Sequence, residues 1–381
     1  MRQRSIPAVY MRGGTSKGVF FLAGDLPPPG KERDQLLLRV IGSPDPYGKQ
    51  IDGMGGATSS TSKVVVVAKS ARPDSDVDYW FGAVAIAAPT IDWSGNCGNL
   101  TAAVGPFAIE AGLVIPPTEG MAAVRLWQAG ISKRIVARVP VSGGRVVEDG
   151  DFVLDGVAFA AAEIGLEFLD PAAEDLFPTG HAVQVLEVPW VGTLAVTLIN
   201  AGNPTIFVAA EALGLQGTER QEDVNSNPAL LTLVEELRAQ GAVAMGLAAT
   251  TEEATQRRPH TPKVMYVAKP KSYTAADGRQ VNANSIDLLV RTFSMGKLHH
   301  AIPGTGAVAV AAAAAIPGTV VSELTSASRK DRLRVGHPSG TVEAGADVTH
   351  TDNRWAVSKA QLSRSARRLM EGRVYVPGLD V

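Results

Sequence analysis

The stretch DWSGNCGNLTAAVGPFAIEAGL, residues 92–113, holds Cys97, the single cysteine among 381 residues. Glycine and asparagine flank it on both sides, and the chain behind it carries no charge until Glu110. A helix starting at Gly98 leaves its first N–H groups without intrahelical partners and sets its positive dipole end beside the thiol. Carboxylates bind at such a helix start, and a thiolate is favoured there. Cys97 is therefore a candidate proton-transfer group or nucleophile. Taken alone, it reads more readily as a small buried residue beside a tight turn, because free cysteines are among the most buried residues.

Four more stretches gather polar chemistry. In YMRGGTSKGVFF (10–21), Arg12, Gly14, Thr15, Ser16 and Lys17 precede a strand. Amides exposed by glycine, two hydroxyls and two cations make a carboxylate cradle. The spacing is not that of a phosphate loop, and a strand follows in place of a helix. A solvated glycine turn fits the same residues equally well. In DGMGGATSSTSKVVVV (52–67), the hydroxyls of Thr58, Ser59 and Ser60 lead to Lys63 at a strand start. A lysine entering an apolar strand is poorly solvated, so its pKa should fall into the range useful for proton transfer. By itself it also fits an ordinary strand-edge lysine. INAGNPTIFV (199–208) sets Asn203 before Pro204 at the end of a strand, where a turn could aim the amide at a ligand. SMGKLHHAIPGTG (294–306) gathers Ser294, Lys297, His299, His300 and Thr305 ahead of a second apolar segment. Adjacent histidines in an extended segment point to opposite faces. No third ligand lies at metal spacing, so a metal is not expected and a carboxylate hydrogen bond is the better role for one of them.

These residues need elements to position them. Short β-branched runs bounded by Gly, Pro, Asp or Ser predict strands at 19–23, 63–69, 77–86, 122–128, 134–141, 193–200, 263–269 and 285–294. Helices are predicted at 31–42, at 227–247 behind an Asn-Pro start, and at 358–372, an Arg-rich amphipathic stretch stopped by Gly372. The segments from Gly98 to about Leu113 and from Gly304 to about Ile316 are apolar all round, the mark of enclosed helices. The chain thus reads as α+β, two pseudo-equivalent α/β domains, each a curved sheet around one central apolar helix. The expected division is 1–190 and 191–381, with the C-terminal segment free to pack on the first half.

Composition narrows the function. The apolar fraction is 45% and the charged fraction 19%, ordinary for a folded protein of more than one domain. A net charge of −2 offers no field for nucleic acid or an anionic membrane, so anionic ligands must be held locally. One cysteine allows no internal disulfide and points to a reducing cytoplasmic setting. The first residues lack the apolar core of a signal peptide, and the longest apolar run is broken by Pro317 and too short to span a bilayer.

Together, IPAVYMRGGTSKGVFF, SGNCGN, GNPT, SMGKLHHAIPGTGAVA and SARRLMEGRVYVP resemble, in order and across the whole chain, the PrpF family. That family comprises 2-methylaconitate cis–trans isomerase, 4-oxalomesaconate tautomerase and methylitaconate isomerase, on the diaminopimelate epimerase-like fold. The resemblance implies Cys97 and Lys63 as the catalytic pair, no cofactor and no metal. It implies an unsaturated di- or tricarboxylate substrate, with 2-methylaconitate of the methylcitrate cycle and propionate catabolism first. Carboxylates would be held by Arg12, Gly14, Thr15, Ser16, Lys17, Thr58, Ser59, Ser60, Gly98, Asn99, Asn203, Lys263, Ser294, His299, Gly304, Thr305 and Gly306. Epimerases of this fold use two cysteines, whereas Pro303 stands at the second helix start here. That departure removes two-thiol racemisation. A non-catalytic binding partner of a tricarboxylate dehydratase is the alternative of another class. A cysteine hydrolase is not supported, since His181, His260 and His337 lack a surrounding set. A homodimer and a functional link to an aconitase-like dehydratase are further expectations.

Overall fold

The computed structural model describes residues 3–172, 175–326, 332–352 and 354–377. The chain forms two compact units, Met1–Leu166 with Arg364–Val381, and Glu167–Ser363.

In the first unit, strands Arg4–Gly13 and Ser16–Leu22 form an antiparallel hairpin. Gly14 makes its turn with φ of 50°, a left-handed conformation that glycine adopts without steric cost. Helix Lys31–Ile41 leads to strand Lys63–Lys69, which lies parallel to Ser16–Leu22 with Val64 opposite Val19. Val77–Val84 returns antiparallel, placing Ala83 opposite Lys63. The first central helix, Gly98–Glu110, then crosses to Glu119–Gln128, parallel to Val77–Val84, and Lys133–Ser142 closes the run. Strand Ala366–Val376 pairs along the outer edge of Arg4–Gly13.

The second unit repeats this order. Strands Gly192–Ala201 and Asn203–Ala209 form the hairpin, turning at Gly202 with φ of 73°. Helix Pro228–Ala244 leads to Lys263–Ala268, parallel to Asn203–Ala209. Leu288–Ser294 returns antiparallel. The second central helix, Gly304–Ala315, crosses to Leu333–His337, parallel to Leu288–Ser294. Gly340–Thr351 and Arg354–Arg364 complete the sheet.

Local chemistry explains the elements. The Val64–Val67 run is buried throughout, and Val64 and Val66 share one core with Leu36, Leu37 and Ile41 of the first outer helix. Each such side chain contributes roughly 1.5–3 kcal/mol on burial. That helix ends at Gly42, left-handed, whose N–H reaches Leu38 O. Asn227 accepts from the Leu230 N–H at 3.1 Å and Pro228 follows, fixing the start of the second outer helix. Gly98–Ile109 and Gly304–Ala314 are buried along their whole lengths.

Three expectations are corrected. The helix predicted at 358–372 is instead two strands, Arg354–Arg364 and Ala366–Val376. Ala360, Leu362 and Arg364 face inward at a period of two, and the following strand finds its partner in Arg4–Gly13, remote in sequence. Long-range pairing outweighs local helix propensity here. Asn203 opens a strand after the Gly202 turn, and does not end one. The boundary set at 190 also differs from the contact-defined division, which falls after Leu166 and returns to the first unit at Arg364. Among the described residues, no helix is long and apolar enough to cross a membrane.

Candidate active site

In the first unit the polar residues converge on the start of the first central helix. Cys97 is its N-cap, 5% exposed. Its carbonyl accepts from the Thr101 N–H at 2.9 Å and the Thr101 hydroxyl at 3.0 Å. Its N–H donates to Asn96 Oδ1 at 2.8 Å, which also accepts from Tyr79 OH at 3.1 Å. Gln128 Nε2 donates to Gly95 O at 3.1 Å. The Gly/Asn turn is thus tied down from several elements, and the thiol sits where the helix dipole is positive.

The Arg12–Lys17 hairpin turn packs on this helix start. A Cβ at Gly14 would run into Asn99 Oδ1, and one at Gly13 would lie 2.9 Å from Leu100 Cα. Asn99 Nδ2 donates to Thr15 Oγ1 at 2.9 Å and Ser16 Oγ at 3.4 Å. Ser16 Oγ lies 4.0 Å from Cys97 Sγ. Arg12 binds its own surroundings: one guanidinium nitrogen donates to Gly14 O at 3.1 Å, Ser365 O at 3.0 Å and Ser365 Oγ at 3.1 Å. Burial, helped by Arg367, pulls its pKa down. Lys17 Nζ stands 5.4 Å over the Tyr10 ring.

The Thr58–Ser62 loop joins the same region. Ser60 O accepts from the Lys17 N–H at 3.0 Å, and Thr58 Oγ1 bonds Ser60 Oγ at 2.9 Å. The buried Lys63 amine donates to Ser59 O and lies 5.6 Å over the Phe81 ring. Burial pushes the Lys63 pKa down, with the Cys97 charge opposing it. Lys63 and Cys97 therefore lie within each other's electrostatic reach.

The second unit carries a matching polar cluster. Asn203 Nδ2 donates to Thr305 Oγ1 at 3.1 Å, in the first turn of the second central helix. Lys263 Nζ donates to Ser294 Oγ at 2.8 Å and contacts His260 Nδ1 at 3.0 Å. Gly304, Thr305 and Gly306 form the buried first turn, behind Pro303 as N-cap. His299 is buried, and its Nδ1 contacts Ala301 O at 2.7 Å. The expectation that His299 and His300 point apart is overturned: their rings stack at 4.7 Å. The segment turns there, so the strand rule does not apply. Among the described residues, no three His, Cys, Asp or Glu side chains gather as a metal site.

One residue escaped the sequence reading. Arg364 is 1% exposed and its Nε donates to Asn99 Oδ1 at 3.0 Å. Burial lowers its pKa to about 10, with Cys97 opposing. The signal was the two-residue alternation from Ala360 to Arg364, hidden in a stretch that also fits a helix.

Residues 3–377 match the model of the PrpF protein family. A 2-methyl-aconitate isomerase of Cupriavidus necator is 58% identical over 389 residues, covering 99% of this chain and 98% of that protein. The crystal structure of methylitaconate-delta-isomerase is similar with a TM-score of 0.77 at 38% identity, covering 99% of this chain and 96% of that one. A probable proline racemase from Agrobacterium radiobacter K84, with bound carbonate, is similar with a TM-score of 0.60 at 15% identity, covering 98% and 94%. The last is a likeness of fold alone.

Proposed function

Because the chain belongs to the PrpF protein family, we propose that it isomerises unsaturated tricarboxylates without a cofactor, with 2-methylaconitate as its substrate. The fold is diaminopimelate epimerase-like and the protein is an isomerase. The observation that carries the substrate is the end-to-end similarity to 2-methyl-aconitate isomerase.

The site geometry supports allylic proton transfer. A carbon next to a C=C–COO⁻ unit is weakly acidic, because its carbanion spreads into the carboxylate. One member of the Cys97–Lys63 pair takes that proton. The electron pair moves through the old double bond to give a dienolate, whose lowered bond order permits rotation. The proton then returns, so no atom is gained or lost. Return to the original carbon gives cis–trans isomerisation; return elsewhere shifts the double bond. The helix start at Gly98–Asn99 and the hydroxyls of Thr15, Ser16 and Thr58–Ser60 supply fixed positive potential for a carboxylate. Asn203, Lys263, Ser294, His299 and Gly304–Gly306 are the second unit's own candidate carboxylate-binding groups. With Pro303 as the second N-cap, only one helix start holds a thiol. That favours shuttling a proton along one unsaturated acid over inverting a stereocentre between two thiols. Arg12 contributes by holding the turn, given its bonds to Gly14 and Ser365.

The experiment is an ultraviolet and NMR assay on 2-methylaconitate, methylitaconate and 4-oxalomesaconate, run in D2O. Fastest turnover of 2-methylaconitate with deuterium uptake at its allylic carbon is expected. Preference for either other acid would overturn the substrate assignment, and no uptake would overturn the mechanism. A cytoplasmic location, a homodimer and a functional link to an aconitase-like dehydratase belong to the same proposal; light scattering of the purified protein tests the dimer.

A further inference from the structure

The hydrogen bonds around Arg364 have a fixed direction. A guanidinium donates and never accepts. Asn99 must therefore turn its oxygen toward Arg364 Nε, at 3.0 Å. Its amide nitrogen is left to face the hairpin turn, donating to Thr15 Oγ1 at 2.9 Å and Ser16 Oγ at 3.4 Å. Each hydroxyl spends a lone pair on that contact and keeps its own proton to give. Ser16 Oγ is 4.0 Å from Cys97 Sγ. Arg364, Asn99, Ser16 and Cys97 are all buried, so water does not compete along the chain of contacts.

The charges around Cys97 are contributed by several elements. Lys63 lies on strand Lys63–Lys69, and Tyr79 on Val77–Val84, its phenol pushed up by burial. Arg364 stands at the end of Arg354–Arg364, and Arg12 sits beyond Ser365. The central helix adds no acidic or basic side chain before Glu110.

We infer that Arg364 is a positioning residue of the site: it orients the Asn99 amide and so sets the Thr15 and Ser16 hydroxyls at the helix start beside Cys97, with its own buried cation near that thiol. The inference rests on Cys97 as a proton-transfer group, but its first test uses no substrate. Cys97 is the only cysteine, so the rate of iodoacetamide alkylation against pH reports that one thiol. Arg364→Met should alkylate about tenfold more slowly at neutral pH. Arg364→Lys keeps the charge without the fork; it should alkylate on the wild-type profile yet turn over about tenfold more slowly at little-changed KM. Asn99→Asp still accepts from Arg364 but no longer donates to Thr15 and Ser16, and should lose kcat similarly. An Arg364→Met protein on the wild-type alkylation profile overturns the charge role. Wild-type kcat in Arg364→Lys or Asn99→Asp overturns the relay, and these two variants decide the matter if Arg364→Met does not fold. If the wild-type protein isomerises no unsaturated acid while the alkylation shift appears, the functional reading falls and the role of Arg364 at the thiol stands.

Discussion

Lys63 and Lys263 occupy the same place in two copies of one topology, and only Lys63 has a thiol at its helix start. Each opens the strand that lies parallel to the second strand of its unit's hairpin, and each is buried. Lys63 touches Ser59 O and the Phe81 ring and feels the charge of Cys97. Lys263 is held by His260 Nδ1 and Ser294 Oγ. The repeated fold thus carries two buried lysines in different surroundings.

That difference predicts a kinetic split. Lys263→Met should raise KM for a tricarboxylate roughly tenfold or more while kcat falls less, as expected for loss of ground-state binding. Ser294→Ala, which removes one of the Lys263 partners, should move in the same direction more weakly. Steady-state kinetics check both. A kcat collapse at unchanged KM in Lys263→Met would place that lysine in the chemistry instead.

Cys97→Ser should lower kcat by roughly 10²–10⁴-fold, the usual loss when a proton-transfer group is removed. Serine is close in size and leaves the backbone bonds of the helix start in place, so the circular dichroism melt should stay close to wild type. Solvent deuterium incorporation into the substrate should fall in parallel with turnover. Incorporation that persists while isomerisation stops would show that Lys63 alone exchanges the allylic proton, and would overturn Cys97 as the group that abstracts it.

Lys63 sets a pH dependence. Burial holds its pKa below the ordinary lysine value of about 10.4. Activity that needs the neutral amine should rise with pH along a limb lying below that value. Lys63→Arg, unable to deprotonate, should lose the limb together with the activity. Stability follows the same sign. Between the lowered folded value and about 10.4 the folded state binds fewer protons than the unfolded chain, so wild-type stability rises with pH across that window. Lys63→Met lacks this term. Urea melts at neutral and alkaline pH should show wild type gaining on Lys63→Met as pH rises, and parallel curves would refute the buried amine.

Gly14 tests the contact between hairpin and helix. Its φ of 50° disfavours any side chain, and a Cβ there would strike Asn99 Oδ1. Gly14→Ala should cost about 1–3 kcal/mol and reduce kcat by displacing Asn99. Gly180→Ala is the control: Gly180 has φ of 77° and nothing within 4 Å of a new Cβ. It shares the backbone cost without the collision. Equal loss of activity in both variants would show that Asn99 placement is not what Gly14 protects.

Much of this protein is determined locally, and those parts are legible in the sequence. Val64–Val67 is a continuous apolar run because helices cover both faces of its sheet, and it folds as read, within Lys63–Lys69. The uncharged segments behind Cys97 and Pro303 are the two enclosed helices, since a helix without a polar face needs cover all round. Gly14 and Gly202 mark the two hairpin turns because each turn needs a positive φ. Cys97 at the helix start is visible in the same way. What only the tertiary structure decided depends on partners far away in the chain. Segment 358–372 has residues that suit a helix, yet it folds as strand: its first part pairs with Gly340–Thr351, and residues from Ala366 on pair with Arg4–Gly13, an edge more than 350 residues earlier. That pairing carries Arg364 into the first unit, beside Asn99, where burial and the helix start give a surface-looking arginine its place at the thiol. Local periodicity specifies which elements form. Only the pairing of distant strands specifies which side chains meet.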